Sequence, residues 1–190
     1  MSLTTLANVK AFNNITTAEH DTELLRLIPT VDAFIEAYCN RPLESATVTE
    51  YHSARAGQTS LRLNRYPVAS VTSLYDDVYR VYGADTLIAT SDYVLTDAAA
   101  GLVDLDGTAF QPGLNNIKIV YVAGYASGSK ERALLEQAAI ELIWLARKKG
   151  DQALLGLQSR SIADGRVDTF NMDWPAGVKE TLELFRKIDH

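Results

Sequence analysis

Cysteine occurs once, at position 39, so no disulfide can form within the chain. Cys39 lies on an apolar helical stretch and reads as a small buried hydrophobe rather than a nucleophile. Histidine is nearly as scarce. His20, His52 and His190 form no His-x-x-x-His pair and follow no Cys-x-x-Cys, so the spacing of a zinc site is missing. Basic residues are outnumbered, 18 against 24 acidic, for a net charge of −6. Apart from Arg147, Lys148 and Lys149 they are scattered, which argues against tight gripping of DNA or RNA, because that needs a basic patch to displace counterions from phosphates. Long apolar runs are absent too. The longest, around Leu134 to Ala146, is amphipathic and too short to span a bilayer. The opening Met-Ser-Leu-Thr-Thr-Leu has neither a basic segment nor an apolar run, so no secretory signal is expected and the chain is expected to be soluble and cytosolic where it is made.

Nucleotide and nucleophile motifs are missing as well: there is no G-x-x-x-x-G-K-[ST], G-x-G-x-x-G or G-x-S-x-G. Gly124 and Gly128 flank Tyr125-Ala126-Ser127 between a strand and a helix, and read as a turn rather than a phosphate cradle. Asp104, Asp106 and Gly107 lack the remaining positions of a calcium loop and read as a hairpin turn. Asp76-Asp77 reads as a turn or solvated edge. The Asn14-Ile15-Thr16 sequon has no meaning in a chain that is not secreted. No catalytic, cofactor-binding or metal-binding residue is therefore assigned, no cofactor is implied, and no enzymatic activity is expected.

What is present is a chain of 190 residues, 47% apolar and 22% charged, enough to bury a core without staples. Thr4 and Thr5 precede a short pattern of Leu6, Val9 and Phe12, a capped first helix that Asn13-Asn14 breaks. Thr17 is the expected N-cap of a second helix, with Glu19 and Asp21 in its first turn, where the helix dipole favours acids. Leu24, Ile28, Val31, Ile35 and Tyr38 then recur on one face up to about Cys39. Pro29 inside this run removes a backbone donor and should kink the helix.

The middle of the chain alternates as strands do. Strands are expected at 47–52, 60–64, 68–75, 92–96, 101–105 and 117–124, the last led by an Asn115-Asn116 turn and the fifth closed by Asp106-Gly107. Short strands at even spacing favour a small antiparallel sheet or sandwich over βαβ units. Helix returns at Ser129, the expected cap of a helix from Lys130 to about Lys149 that Gly150 ends, with Leu134, Ala138, Glu141 or Leu142, and Leu145 facing inward. The polar segment from Gln158 to Phe170, with Asp164-Gly165 at its middle, reads as an exposed hairpin or mobile loop. Pro175 opens a last helix with Val178, Leu182 and Phe185 on one side. The expected fold is thus α+β: a helical bundle formed by the N- and C-terminal thirds with an inserted antiparallel β-region. It is organised as a single domain over 1–190, helical over 1–45, β over 46–124 and helical again over 125–190. Nine tyrosines are many, and Tyr66, Tyr75, Tyr79, Tyr82 and Tyr93 gather in the β-region, as strand composition or as an interface.

The order of these pieces carries a resemblance. Leu3-Thr4-Thr5-Leu6-Ala7-Asn8-Val9-Lys10-Ala11-Phe12 leads to an acidic helix ending Ile35-Glu36-Ala37-Tyr38-Cys39-Asn40-Arg41. Glu50-Tyr51-His52, Leu61-Arg62-Leu63 and Tyr66-Pro67-Val68-Ala69-Ser70-Val71 follow. Asp92-Tyr93-Val94-Leu95, Gly101-Leu102-Val103-Asp104-Leu105 and Val120-Tyr121-Val122-Ala123-Gly124-Tyr125 complete the series. From Leu3 to about Arg186 this resembles the gp6-like phage head–tail connector (adaptor) protein family of tailed bacteriophages and prophages. The resemblance implies a structural subunit in a cyclic ring of about a dozen copies joined head to tail. That ring would dock under the portal protein, extend the channel through which DNA passes without sequence-specific binding, and support the next neck or tail-completion protein. No membrane is involved. The chain would reside in the host bacterial cytoplasm during assembly and in the virion neck afterwards. The family has no catalytic residues to carry over. The segment from Gln158 to Phe170 would then be free in the lone subunit and order against a neighbouring ring. Other readings are a different neck component (stopper or tail-completion protein), an enzyme of unrecognised type, and a bacterial regulator with a DNA-binding helix.

Overall fold

The structure, a computed structural model, describes residues 2–151, 159–161, 167–169 and 175–187. Its elements run α1 (Leu6–Phe12), α2 (Asp21–Cys39), β1 (Ala46–Ala54), β2 (Ser60–Arg62), β3 (Val68–Asp76), a single 3₁₀ turn, β4 (Leu87–Ile88), β5 (Tyr93–Asp97), β6 (Leu102–Leu105), β7 (Gly113–Ala123), α3 (Lys130–Asp151), β8 (Ser159–Ser161), β9 (Val167–Thr169) and α4 (Ala176–Glu183). The class is mixed α+β with antiparallel sheets, and the chain divides into two compact units: Met1–Arg41 with Gly128–His190, and Pro42–Ser127.

In the helical unit the two ends of the chain are tied together. Glu136 on α3 accepts hydrogen bonds from Thr4 Oγ1 (3.1 Å) and Asn8 Nδ2 (2.5 Å). At the other end of α2, Tyr38 Oη donates to Glu183 (2.6 Å), Arg41 Nε to the Phe185 carbonyl (2.8 Å), and the Lys187 amide to the Cys39 carbonyl (2.9 Å). Thr5 caps α1 as expected, accepting from the Asn8 amide at 3.2 Å, and leaves one fewer orphan donor. Helix α2 begins later than its sequence indicates. His20, not Thr17, is its N-cap, because residues 18–20 form a separate turn that closes with an Asp21-to-Ala18 backbone bond. It ends at Asn40, held at φ 53°, while the Arg41 amide reaches back to the Glu36 carbonyl, a Schellman closure in which asparagine takes the usual place of glycine.

The buried face of α2 is Leu24, Ile28, Val31, Ile35 and Cys39, so Cys39 takes the inward place assigned to Tyr38. Pro29 sits on the opposite, exposed side and the helix runs through it. On α3 the buried residues are Leu135, Ala138, Ala139, Ile140, Leu142 and Ile143; of the expected stripe Ala138 and Leu142 are buried, Leu145 is half-buried and Leu134 is exposed. Both sets satisfy a 3.6-residue period; packing against α2 and α4 selects the one centred a residue further on. The helix continues through Gly150 to Asp151 rather than stopping before it. Val178, Leu182 and Phe185 are buried as expected. Strands β8 and β9 pair antiparallel, in keeping with a hairpin. Asp164-Gly165 and the rest of the 158–170 reading lie outside the described residues.

The β-unit holds two antiparallel sheets, β1-β7-β3-β4 and β2-β6-β5, whose inner faces share one core. Strand β7 lies between β1 and β3, and its alternation puts Ile117, Ile119, Tyr121 and Ala123 inward, fully buried. Facing residues include Leu61, Leu63, Val103, Leu105 and Phe110. All six expected strands return, five with small boundary changes and β7 beginning at Gly113 rather than Ile117; β4, two residues long, carries no periodic signal. Asn115-Asn116 is not a turn ahead of β7 but lies inside it, at a bulge where the pairing with β1 shifts between His52 and Ala54.

Candidate interaction surface

Asn116 is fully buried, and its side chain replaces the ladder bonds that the bulge removes. Its Oδ1 accepts from the Ala54 amide (3.2 Å), and its Nδ2 donates to Asp76 Oδ1 (2.8 Å) and the Gln111 carbonyl (2.7 Å). Its own carbonyl accepts from the Asp77 amide at 2.7 Å, which fixes where β3 ends. Of the two readings of Asp76-Asp77, the turn holds, closed by the Arg80 amide on the Asp77 carbonyl (3.1 Å), and the solvated edge does not, since Asp77 is only 4% exposed. Its carboxylate accepts from the backbone amides of Tyr79 (2.8 Å), Val81 (2.8 Å) and Tyr82 (2.7 Å). These bonds, led by that from Tyr82, outweigh burial and hold the Asp77 carboxyl below its ordinary range.

The loop Val78–Tyr82 is thereby wound around one carboxylate. Arg80 (φ 62°) and Tyr82 (φ 55°) occupy the left-handed region, which costs a side-chain-bearing residue roughly 1–3 kcal/mol. Tyr82 is pinned further: its hydroxyl donates to the Asn115 carbonyl (2.5 Å), and its ring stands 5.5 Å from that of Tyr51 and 6.4 Å from that of Tyr75. The Lys118 ammonium lies over the Tyr75 and Tyr82 rings at 5.3 and 5.4 Å. With its backbone so held, the loop turns Tyr79 (88% exposed) and Val81 (79%) to solvent, and Leu114 (78%) stands beside Asn115. Of the five tyrosines gathered in the β-region, Tyr93 is buried, Tyr66, Tyr75 and Tyr82 are half-buried, and only Tyr79 projects.

The densest ionisable cluster is built on Glu50. Its carboxylate meets the Tyr121 hydroxyl, His52 Nε2 (2.8 Å), and the amide and side chain of Asn64 (3.2 and 3.0 Å). Burial opposes its ionisation, but the hydrogen bonds from His52, Tyr121 and Asn64 prevail and hold it below its ordinary value. Burial, then the bond to Glu50, push the Tyr121 hydroxyl well above the usual range. Both oxygens of Glu50 are occupied, and among the described residues no serine, cysteine or lysine is hydrogen-bonded to the group; it joins β1 and β7 to the connection between β2 and β3. His20 is 3.8 Å from Glu23, and His190 lies outside the described residues. Among the described residues no three His, Cys, Asp or Glu side chains form a group able to hold a metal ion, and no helix is long and apolar enough to cross a membrane.

Cys39 is buried, its thiol facing the Leu182 carbonyl at 3.8 Å and pushed up to about 11 by that burial. Gly124 is held at φ 109°, and a Cβ there would collide with the Glu44 backbone, which bridges to Tyr125. The residue serves a close backbone crossing and no phosphate. Asp104 lies in β6 and accepts from the Thr96 hydroxyl; Asp106-Gly107 (Gly107 φ 69°) turns the chain after it but closes no hairpin, because β6 and β7 belong to different sheets.

A chain that spends its buried polar groups on posture and presents a stiffened apolar tip has the construction of a structural assembly protein. It belongs to the head completion protein family, whose model matches residues 2–188. Similar folds occur in phage-like particles. A chain from the neck of an empty gene transfer agent particle, computed with C6 symmetry, is 20% identical with a TM-score of 0.65, covering 99% of this chain and 91% of that one. One from the native particle's neck, computed with C12 symmetry, is 21% identical with a TM-score of 0.58 over 88% and 84%. A chain of the native virion is 21% identical with a TM-score of 0.60 over 93% and 82%. No curated protein matches the sequence.

Proposed function

We propose that this chain is the structural subunit of a head–tail connector ring that docks under the portal, extends the DNA channel and supports tail attachment. The observation that carries this reading is the shared fold over 99% of the chain with a subunit of a cyclically symmetric neck. Both compact units act together in one connector subunit, and copies join head to tail into a ring of about a dozen, by likeness to the C12 neck. The chain performs no catalysis and holds no cofactor. It acts in the host cytoplasm during assembly and in the virion neck afterwards.

The charge suits the role. A channel through which DNA slides must not grip phosphates, and −6 per copy, repeated around a ring, weakens that attraction. Repulsion between like-charged copies also makes assembly sensitive to ionic strength. The test is native mass spectrometry of the purified chain with and without the portal protein of the same phage. Rings of about a dozen copies bound to portal are expected. A chain that stays monomeric and never joins portal would overturn the reading.

A further inference from the structure

We propose that the loop Val78–Tyr82 is the contact through which one copy of this chain docks on the next. Tyr79 and Val81 would sit around Val94 on the outer face of the neighbour's β2-β6-β5 sheet, and Arg80 against Asp92 and Asp106. This rests on the ring reading above and adds the surfaces that close it.

Three observations point to the loop. It exposes apolar side chains at its tip, where solvation gains nothing from them. Its backbone is held before any partner arrives, by three amides on the buried Asp77 carboxylate and by the Tyr82 hydroxyl on Asn115, so little entropy remains to be lost on docking. It also keeps two side-chain-bearing residues, Arg80 and Tyr82, in a left-handed conformation that a plain connection would avoid with glycine. Tyrosine and arginine at the centre of such a patch are the residue types that dominate binding energy at interfaces.

The occupant follows from charge. The only ionisable side chain at the tip besides the tyrosines is Arg80, whereas the chain as a whole is acidic, so another copy is an electrostatically matched partner. The matching face is on the same unit. Tyr93, Val103 and Leu105 point into the core, so alternation turns Val94, Asp104 and their neighbours outward. Val94 is exposed and pairs across the strands with Asp104, while the Asp106 amide bonds to the Asp92 carbonyl, which sets those two acids side by side at the open end of the hairpin. An apolar spot rimmed by carboxylates fits an apolar tip carrying one cation. Tip and face are different surfaces, as a head-to-tail ring requires of every copy.

A charge exchange tests this, read by native mass spectrometry and sedimentation of the full chain, alone and with portal. Arg80→Asp is expected to weaken ring formation at least tenfold, as is Asp92→Lys with Asp106→Lys. All three changes in one chain should recover most of the loss. The uncharged pair Tyr79→Ser and Val81→Ser should abolish rings while far-UV circular dichroism stays unchanged. Rings of wild-type strength in the single-surface variants would overturn the proposal, as would a combined variant that recovers nothing. Serine variants that keep their rings but lose portal would assign the tip to portal and also overturn it. Rings that depend on the tip but never bind portal would instead sink the connector reading and leave this inference standing.

Discussion

Replacing Asn116 by alanine should cost the β-unit about 2–4 kcal/mol. The Ala54 amide loses its partner at a buried position, which costs about 1–3 kcal/mol, and the bond to the carbonyl of Gln111, an exposed residue, is worth about 0.5–1.5 kcal/mol more. Asp76 loses less, because its other oxygen still accepts from the Gln111 amide at 2.7 Å. Against the roughly 5–15 kcal/mol that holds a typical domain folded, this is a large fraction. With a urea dependence of about 1–3 kcal/mol per molar, the midpoint should fall by about 1–2 M. Asn116→Asp keeps an acceptor for Ala54 but sets a second carboxylate against Asp76 and the Gln111 carbonyl. Its penalty should be at least as large at neutral pH and should shrink as the added carboxylate is protonated. The assay is urea denaturation followed by tyrosine near-ultraviolet dichroism. Neither tryptophan, Trp144 or Trp174, falls within residues 42–127 of the β-unit, so tryptophan signals do not follow its unfolding. A loss below about 1 kcal/mol for Asn116→Ala would refute the assignment of Asn116 as the bulge's hydrogen-bonding substitute.

Asp77→Ala should release the tip without unfolding the sheet. Hydrogen exchange at the Tyr79, Val81 and Tyr82 amides should accelerate while β7 stays protected, and unchanged exchange there would contradict the clamp. Cys39 should resist an aromatic disulfide reagent at pH 8, because burial holds its thiol up to about 11, and react only as fast as the helical unit opens. Because the folded Glu50 carboxyl lies below its ordinary 4.5, its contribution is complete above that pH and is lost as pH falls through the folded value. Glu50→Gln should therefore flatten the acid limb of a stability–pH curve, and an unchanged limb would show that other carboxylates set it. Gly124→Ala should lower the melting temperature, since the new methyl meets the Glu44 backbone at a left-handed position; an unshifted transition would count against that crossing.

The sequence by itself determined the elements whose signal is local. Period-two alternation located β2 and β6, and period-3.6 spacing gave the buried side of α2 and α4, because these patterns record a single face turned from water. The absence of metal and nucleotide spacing was equally legible, and the order of short motifs pointed to the connector family. The tertiary structure decided what depends on partners far along the chain. Leu134 and Leu135 both fit the period of α3, and only the helices packed against it choose between them. Asp77 reads as a turn or a solvated edge until β7 supplies the carbonyl that ends β3 and three amides fold back onto its buried carboxylate. Asn116 reads as a turn until β1 slips register beside it. A side chain's hydrogen-bond partners are whichever backbone groups non-local pairing leaves unsatisfied, and no local pattern carries that information. The exposed tip at Tyr79 and Val81 follows from those two residues, so the surface proposed for docking was the one least visible in the sequence.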